Sequence, residues 1–561
     1  MSNLFIFTIG PVQGLIANSR KLRDMRAGSE LLSTITAEAI AWLKDYNNGQ
    51  IKIIFPVLED KESSSRASSP NIPNRLIAEF PDWSDAALTS AAWALTAHIR
   101  GYFLELTVGI LQDSGVSAAG LAMARQQLKD FLEIYWLFTP YDGKSYAAAY
   151  ERLFHDINAV KNIRPFAQST EPWGRKCALF PQYNAIFARR SSGGYLNSRH
   201  VYDLSQDTAF HQPQALKPNE ALSAIALVKR LYPSAASSIY SLRLMMLASR
   251  LPDDLLHDAR LATDRDNISN VIYDLLNDNR PEEYLPETID LASSLYQELQ
   301  KRGVVLSSYY ALIKFDGDSM GDRFRSLQSS AEQLHLSQSL SKFANIAPDI
   351  LRKWKGLPIY AGGEDFLGFV PLDHLFAALT ELDCAFQTNT GLTFSAGIAI
   401  AHLMQPLKDV VAEADRQERT AKALTQKHAF AIGLLKRGGE FVALPAYHLS
   451  SKNSDEPALK NVEQLVAALQ AAQYSKSLFY HISTLLGQLD NGQTPPAPDL
   501  VKVLLSDLIQ GAEVASPAAA DELQKQLVLF YTYCVEQSQA DCLQAFLNTL
   551  NAAVFIAREV L

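Results

Sequence analysis

Hydrophobic and polar positions between residues 307 and 370 follow the order strand, helix, hairpin. The segments are, in order, an apolar run at 311–315, a helical run at 331–355, and apolar runs at 358–361 and 366–370. The first run ends in Asp316-Gly317-Asp318, and Gly362-Gly363-Glu364-Asp365 separates the last two. A short glycine-containing gap between two apolar runs is typical of a β-hairpin. The pattern therefore predicts that the first strand ends beside the hairpin tip in one antiparallel sheet.

The same alternation continues to residue 435. It predicts a helix at 372–389, a strand at 392–401, a helix at 407–427 and a strand at 429–435. Joined to the preceding elements, this gives the β-α-β-β-α-β order of a ferredoxin-like palm domain.

Such a sheet would bring four carboxylates together, those of Asp316, Asp318, Glu364 and Asp365. These groups repel one another unless a cation neutralises them, and hard oxygen ligands of this kind suit Mg²⁺ or Mn²⁺. Two such ions can hold the attacking and leaving oxygens of an in-line phosphoryl transfer. The alternative interpretation is an acidic turn that faces water.

Small residues around these carboxylates predict a nucleotide site, because glycine lets backbone N–H groups approach a triphosphate closely. The residues expected to seat the triphosphate are Gly317, Met320, Gly321, Gly362 and Gly363. Ser395, on the neighbouring predicted strand, is expected to approach the base. Lys422 or Lys427 is expected to neutralise phosphate charge, although both could equally be surface lysines.

The N-terminal region has a second αβ pattern. It predicts a strand at 3–9, a helix that ends at Gly28-Ser29, a helix at 30–46, a strand at 51–55, a helix at 85–100, a strand at 102–111 and a helix at 118–132. No D-x-D or G-G-D-D equivalent occurs in this region. We therefore expect a non-catalytic twin of the palm that completes the nucleotide pocket.

The length of 561 residues implies several domains, since single cores rarely exceed about 250–300 residues. The predicted fold class is α+β. The predicted domains are an N-terminal ferredoxin-like domain at 1–147, a mainly helical middle domain at 148–302, the catalytic palm at 303–440 and a C-terminal helical domain at 441–561.

Composition and charge narrow the class of protein. The net charge of −9 argues against a free-standing nucleic-acid binder with a globally basic face. The chain has no stretch of 18 uncharged apolar residues and no signal peptide at its start, which predicts a cytoplasmic protein without a membrane segment.

Two kinds of metal chemistry are not expected. The cysteines, Cys177, Cys384, Cys534 and Cys542, are too scattered for a disulfide framework or a C-x-x-C zinc site. Two His-Asp pairs, His155-Asp156 and His257-Asp258, lack the further ligands of an HD nuclease, and we interpret both as helix-surface pairs.

Several motifs occur together in one order along the chain. They are I-G-P-V-Q-G-L from Ile9, S-P-N-I-P-N-R ending at Arg75, F-D-G-D-S-M-G from Phe315, A-G-G-E-D-F from Ala361, and F-S-A-G-I-A-I-A-H from Phe394 with Pro406-Leu407 after it. This set resembles the large subunit of type III-B CRISPR effectors, the Cmr complex. The usual hairpin tip of that family is G-G-D-D, so Glu364 is a departure from its pattern.

The resemblance implies a nucleotidyltransferase in which a 3′-hydroxyl attacks the α-phosphate of ATP. Asp316, Glu364 and Asp365 would be the catalytic residues, and these with Asp318 would hold Mg²⁺ or Mn²⁺. The implied product is a cyclic or linear oligoadenylate, or an AMP conjugate, made in antiviral defence when target RNA binds.

The resemblance also implies partners: the backbone and small helical subunits of the complex, guide RNA and target RNA. Family members often carry a zinc-binding insert in the middle region, but only Cys177 lies near there, so no zinc is expected. In family members that have an HD nuclease, it precedes the P-V-Q segment. That segment begins here at Pro11, so no DNase activity is expected.

Two alternatives remain open at this point. A catalytically decayed scaffold subunit would organise guide RNA, target RNA and partner subunits; Glu364 favours it slightly, whereas Asp316, Asp318, Asp365 and the double glycine oppose it. A diguanylate-cyclase-like or polymerase enzyme rests on palm analogy alone.

Overall fold

The computed structural model of the chain divides into two compact units. Unit 1 comprises Met1–Ser238, Ser319–Ile346 and Ile359–Glu364, and unit 2 comprises Ile239–Asp318, Ala347–Pro358 and Asp365–Leu561. The structure describes residues 2–57, 72–142, 145–163, 171, 173–189, 201–212, 215–216, 220–233, 241–256, 258–279, 284–449, 458–473, 476–489, 494–512, 515–537 and 541–560. The division into four domains at residues 147, 302 and 440 stays a prediction.

Unit 1 begins with alternating strands and helices. In chain order these are β1 (Ser2–Gly10), α1 (Val12–Ala17), α2 (Leu22–Asp45), β2 (Lys52–Phe55), β3 (Arg75–Phe80), α3 (Asp85–Asp113), α4 (Ala118–Leu128), β4 (Glu133–Tyr141) and α5 (Tyr146–Ile163). The strands form an antiparallel sheet in the order β2-β3-β1-β4. This is the ferredoxin-like arrangement that the N-terminal pattern predicts.

The core of this sheet lies between its central strand and the long helix that follows. Phe5 and Phe7 of β1 join Leu31 and Ile35 of α2 in one hydrophobic cluster, and all four are fully buried. Burying each such side chain stabilises the fold by roughly 1.5–3 kcal/mol. The apolar faces of β1 and α2 therefore fix the strand that begins this domain.

The predicted break at Gly28-Ser29 is wrong, because α2 runs through both residues. Gly28 instead allows α1 to pack closely against α2. A Cβ atom at Gly28 would lie 2.7 Å from the carbonyl oxygen of Leu15, which is too close for any other residue. The glycine serves a helix contact and does not end the helix.

The predicted strand at 102–111 is also wrong, since these residues belong to α3. Their buried positions, Phe103, Thr107 and Leu111, recur every four residues, which is helical spacing. The fourth strand of the sheet is β4, which the pattern did not predict, and the helix expected at 118–132 ends at Leu128.

The chain then passes through short strands and helices. These are β5 (Phe187–Ala188), β6 (Tyr202–Asp203), β7 (Ala221–Leu222), α6 (Ala224–Leu231), α7 (Leu242–Arg250), α8 (Asp253–Leu256), α9 (Ala259–Leu276) and α10 (Pro286–Lys301). The strands form a small sheet in the order β6-β5-β7. The rest of this region, within the described residues, is mainly helical, as predicted.

The second αβ region follows. It contains β8 (Tyr309–Gly317), α11 (Met320–Ser326), α12 (Ser330–Lys353), β9 (Leu357–Ala361), β10 (Asp365–Pro371), α13 (Leu375–Thr390), β11 (Phe394–His402), α14 (Leu407–Ala423), β12 (Ala429–Leu435), β13 (Phe441–Ala443) and β14 (Tyr447–His448). The strand order is β13-β12-β11-β8-β10-β9, with β14 on β12. The ferredoxin-like palm predicted from residues 307–435 is thus confirmed.

Helix α14 connects the parallel strands β11 and β12 and lies very close to β11. Gly397 of β11 makes this possible: a Cβ atom there would lie 2.1 Å from the backbone nitrogen of Glu418 and 2.2 Å from the carbonyl oxygen of Ala414. Because only hydrogen fits at this point, the position of α14 over the sheet is fixed.

The C-terminal region is helical, as expected. It contains α15 (Ala458–Ala472), α16 (Lys476–Gln488), α17 (Pro498–Gln510), α18 (Pro517–Gln537) and α19 (Cys542–Val560). The hydroxyl of buried Tyr447 shares a 2.8 Å hydrogen bond with Thr549, which ties β14 to α19. Across the described ranges, no helix is both long and apolar enough to cross a membrane.

Candidate active site

Two of the predicted carboxylates face each other across neighbouring strands. Asp316 lies near the end of β8, and its Cα partner on β10 is Asp365. Residues directly opposite in an antiparallel pair point to the same face of the sheet. The Asp316 side chain is 37% exposed, so solvent or a ligand can reach it. We call these residues the Asp316–Asp365 pair.

Lys422, on the last turn of α14, donates a hydrogen bond to Oδ2 of Asp316. Its ammonium also lies 3.4 Å from Oε1 of Glu418, one turn earlier on the same helix. Burial lowers the pKa of Lys422, but the negative charges of Asp316 and Glu418 outweigh burial and hold that pKa above its ordinary value. Lys422 is therefore a charged residue in contact with Asp316, and its role toward phosphate stays a prediction.

The ion pairs continue along α14 and β8. Lys314, two residues before Asp316, donates to Asp415 at 2.5 Å and lies 2.9 Å from Oε2 of Glu418. Burial lowers the pKa of Lys314, and the opposing attraction of Glu418 and Asp415 raises it above its ordinary value. Sequence reasoning missed Lys314, Asp415 and Glu418. The spacing of Asp415, Glu418 and Lys422 on one helix face was the available signal.

Asp318 is buried and has a different environment from the Asp316–Asp365 pair. Its Oδ1 accepts a 2.7 Å hydrogen bond from the Ser395 hydroxyl. Its Oδ2 accepts bonds from the Thr393 hydroxyl at 2.8 Å and from the backbone N–H of His428 at 2.9 Å. Ser395 itself is fully buried. The carboxylate and the hydroxyl thus satisfy each other, which does not fit the predicted contact between Ser395 and a base.

The His428 amide belongs to a turn with unusual backbone geometry. Gln426, Lys427 and His428 have φ values of 71°, 54° and 47°, so three consecutive non-glycine residues are left-handed. Each costs about 1–2 kcal/mol. Besides the bond to Asp318, Nε2 of His428 lies 2.9 Å from Oδ1 of Asp383, which also holds the turn. Sequence reasoning missed this turn, because nothing local in the residues requires it.

Glu364 belongs to unit 1, where its Oε1 accepts a hydrogen bond from the Arg75 guanidinium. That guanidinium lies over the rings of Phe55 and Phe154, at 5.4 Å and 5.6 Å from their centroids. The other oxygen of Glu364, Oε2, is buried and has no hydrogen-bond partner among the described residues. The P-N-R segment thus contributes the cation that faces the residue at the third position of the hairpin tip.

The residues expected to seat a triphosphate lie in turns. Gly363 has a φ of +96°, which favours glycine, and a Cβ there would lie 3.2 Å from Cβ of Leu340. Gly317 ends β8, and Met320 and Gly321 begin α11. Gly362 precedes Gly363 in the hairpin tip. Their contact with phosphate remains a prediction.

Within the part of the chain that the structure describes, no group of three or more His, Cys, Asp or Glu side chains has the geometry of a metal centre. No disulfide bond joins the four cysteines, all of which lie in described ranges, and the Cys177 sulfur accepts N–H bonds from Leu179 and Phe180. His155 is 82% exposed and bonds to Asp156, which confirms a surface pair there; His257 lies outside the described residues.

A ferredoxin-like palm with paired acidic residues at its strand ends defines a protein of the palm-domain class. Two domain models match the chain. The model described as Cas10/Cmr2, second palm domain, matches residues 309–431, and the model described as CRISPR-associated protein Cmr2, N-terminal, matches residues 4–105. In these two regions the chain is similar to Cmr2 proteins, as its motifs predicted.

A curated relative shows the same similarity. The chain is 24% identical over 544 residues to the CRISPR system Cmr subunit Cmr2 of Pyrococcus furiosus, and the match covers 77% of this chain and 61% of that protein. The chain therefore spans less than two thirds of the length of that relative.

Solved structures show the same fold. A cryo-EM structure of type III-B Cmr-beta in the apo state matches with a TM-score of 0.70 and 13% identity, covering 99% of this chain and 82% of that one. The structure of Cmr-beta bound to cognate target RNA matches with a TM-score of 0.60 and 13% identity, covering 90% and 78%.

Proposed function

We propose that this chain is the large subunit of a type III-B CRISPR effector and that its palm catalyses metal-dependent nucleotidyl transfer from ATP. The observation that carries the proposal is the Asp316–Asp365 pair, which lies in register on two strands of the domain that matches the second palm domain. The product would be an oligoadenylate, or a conjugate of AMP with another small molecule.

The residues present fit a divalent cation at the Asp316–Asp365 pair. Asp316 is accessible, and carboxylate oxygens are the ligands that Mg²⁺ and Mn²⁺ prefer. Glu364 stays a proposed third ligand on the sequence pattern alone. When bound, the cation would neutralise phosphate charge and favour ionisation of the attacking hydroxyl.

The donors around Asp318 favour another role for this residue than the metal ligand expected from the sequence. Three hydrogen bonds already occupy its two oxygens. We propose that Asp318 and Ser395 hold the turn at residues 426–428 and the end of β8 in position. Lys422 is the proposed cation for the phosphates of ATP, because it contacts Asp316 and its side chain is partly exposed.

The partners and the control of the reaction are also part of the proposal. Similarity to the two Cmr-beta structures supports assembly with the backbone and small helical Cmr subunits, guide RNA and target RNA. Target RNA would switch on synthesis in the assembled complex. Such a complex would act in the cytoplasm.

Mass spectrometry of nucleotide products tests the enzyme. The full chain, alone and assembled with its complex and target RNA, is incubated with ATP and Mg²⁺ or Mn²⁺, and then with candidate acceptor metabolites. Asp316→Ala and Asp365→Ala should abolish product. Asp409→Ala, which removes an exposed carboxylate from α14, is the matched control and should leave the yield unchanged. Turnover of either site variant at the wild-type rate would refute this assignment.

The scaffold alternative also has support from one observation. Asp316 and Glu364 are each paired with a cation of the protein itself, Lys422 and Arg75 respectively. Such pairs are expected of a site that no longer binds metal. Absence of product and of Mn²⁺ binding in the assembled, target-bound complex would favour a scaffold. Mn²⁺ binding that Asp316→Asn removes would oppose it.

A further inference from the structure

Five charged side chains form one row of alternating sign that ends at Asp316 of the Asp316–Asp365 pair. The row runs Asp415, Lys314, Glu418, Lys422, Asp316. Its separations are 2.5 Å from Asp415 to Lys314, 2.9 Å from Lys314 to Glu418 and 3.4 Å from Glu418 to Lys422, and it ends in the direct contact of Lys422 with Asp316. All five residues belong to unit 2.

The end of this row occupies one of the two oxygens that Asp316 offers to the proposed cation. An ammonium and a divalent cation cannot share Oδ2 of Asp316 without strong repulsion, since like charges a few ångströms apart repel even in a partly wet site. The binding free energy of a cation at this oxygen is therefore reduced by the loss of the contact between Lys422 and Asp316. Lys422 already has a second carboxylate within reach, that of Glu418.

We propose that Lys422 is an exchange residue: it holds Asp316 until a divalent cation binds, and is then released toward Glu418 and the phosphates of ATP. Glu418 and Lys314 are positioning residues in this scheme, because they act through Lys422. The proposal rests on the proposed function. It adds that cation loading and phosphate binding are coupled through one side chain.

The fold holds the row in place from both sides. Asp415, Glu418 and Lys422 lie at i, i+3 and i+7 on α14, so they share one helix face. Lys314 and Asp316 are two residues apart on β8, so they share one face of the sheet. Gly397, which permits the close approach of α14 to β11, sets the distance between these faces.

The experiment is a Mn²⁺ titration of the full chain without nucleotide, followed by the electron paramagnetic resonance signal of free Mn²⁺. Lys422→Met should bind Mn²⁺ about fivefold more tightly, because the competing ion pair is gone. Lys422→Arg, which keeps the charge, should stay near wild type. Lys408→Met removes the same charge from an exposed position at the other end of α14 and should have no effect. Unchanged or weaker binding by Lys422→Met would overturn the proposal.

Glu418 gives a second test through a double-mutant cycle. Glu418→Gln should weaken Mn²⁺ binding, since Lys422 then has Asp316 as its remaining carboxylate partner in the row. If Glu418 acts through Lys422, the effect disappears in the Lys422→Met background. If Glu418→Gln weakens Mn²⁺ binding by the same factor in the Lys422→Met background, Glu418 acts only as a nearby negative charge and is not a positioning residue.

The coupling to substrate is measured with a non-hydrolysable ATP analogue at saturating Mn²⁺. Lys422→Met should bind the analogue at least about fivefold more weakly while it binds Mn²⁺ more tightly. Unchanged affinity for the analogue would show that the lysine does not pass to the phosphates.

Asp316→Asn and Asp365→Asn separate failure of this proposal from failure of the proposed function. If neither variant lowers Mn²⁺ affinity, the metal site itself is wrong. If both lower it and Lys422→Met does not raise it, only the exchange role fails.

Discussion

Replacing Asp318 by alanine tests the assignment of this residue as an anchor and not a metal ligand. The change removes the acceptor of three hydrogen bonds, one of which comes from the fully buried Ser395 hydroxyl and another from the His428 amide. Hydrogen bonds to a charged acceptor contribute roughly 1.5–3 kcal/mol each. Water that enters the vacated space replaces part of this hydrogen bonding, so we expect the local stability around Asp318 to fall by about 3 kcal/mol.

The loss should be concentrated in the turn at residues 426–428. Three consecutive left-handed residues store about 1–2 kcal/mol each, and this turn relaxes when the bond to His428 is removed. A local loss of about 3 kcal/mol corresponds to amide exchange that is roughly 150-fold faster. Hydrogen–deuterium exchange of peptides that cover residues 424–430, followed by mass spectrometry, measures this directly.

The controls follow from the same geometry. Asp409→Ala on α14 should leave exchange in the turn unchanged, and peptides from α15 should be unaffected in both variants. Mn²⁺ affinity of Asp318→Ala should fall by much less than that of Asp316→Ala. Exchange at 424–430 within about threefold of wild type, or Mn²⁺ affinity lost as in Asp316→Ala, would refute the anchor role.

Three further predictions concern other parts of the chain. Gly397→Ala should destabilise the palm by more than about 3 kcal/mol, since its Cβ would overlap the backbone of α14, whereas Gly438→Ala, with no atom within 4 Å, should leave the melting temperature unchanged. Glu364→Asp, whose side chain is one methylene shorter, should lose the partly buried contact with Arg75 and lower the free energy of unfolding by about 1 kcal/mol. In an Arg75→Met background the same change should lower the free energy of unfolding very little, and an equal loss in both backgrounds would contradict the pairing. Burial, together with the positive charges of Arg437 and Arg243, lowers the pKa of His402 to about 4. As pH falls from about 6.5 to about 4, His402 takes up a proton in the unfolded chain but not in the folded chain, so the stability of the fold should fall. Melting temperatures measured across that pH range should fall less steeply for His402→Gln than for the wild type.

The palm was predictable because its signals are local. Apolar runs at period two, a helical run and a Gly-Gly tip each fall within a short segment, and the strands at 311–315 and 429–435 appear where the pattern placed them. The strand predicted at 102–111 is wrong for a local reason, because the β-branched and aromatic residues of this segment also have helical spacing within α3. A short apolar run without a turn on either side cannot decide between the two.

The roles within the site were less predictable, because they depend on contacts between distant parts of the chain. Asp318 resembles Asp316 in sequence, and only the donors from residues 393, 395 and 428 distinguish them. Glu418 had a local signal in its spacing to Lys422, but its link to Lys314 is made across 104 positions of the sequence and needs the fold. Arg75 lay in a segment noted for its motif, and its partner Glu364 is 289 residues away.

The two halves of the Asp316–Asp365 pair differ in how firmly the backbone holds them. Asp316 is on β8, an inner strand hydrogen-bonded to β10 on one side and β11 on the other. Asp365 is the first residue of its strand and directly follows the turn that contains left-handed Gly363. One carboxylate is thus a fixed reference point, and the other can be adjusted by the length and composition of a three-residue turn. Natural variation in metal preference or product within this fold should therefore arise at the hairpin tip, where a change such as Asp to Glu leaves the rest of the sheet intact.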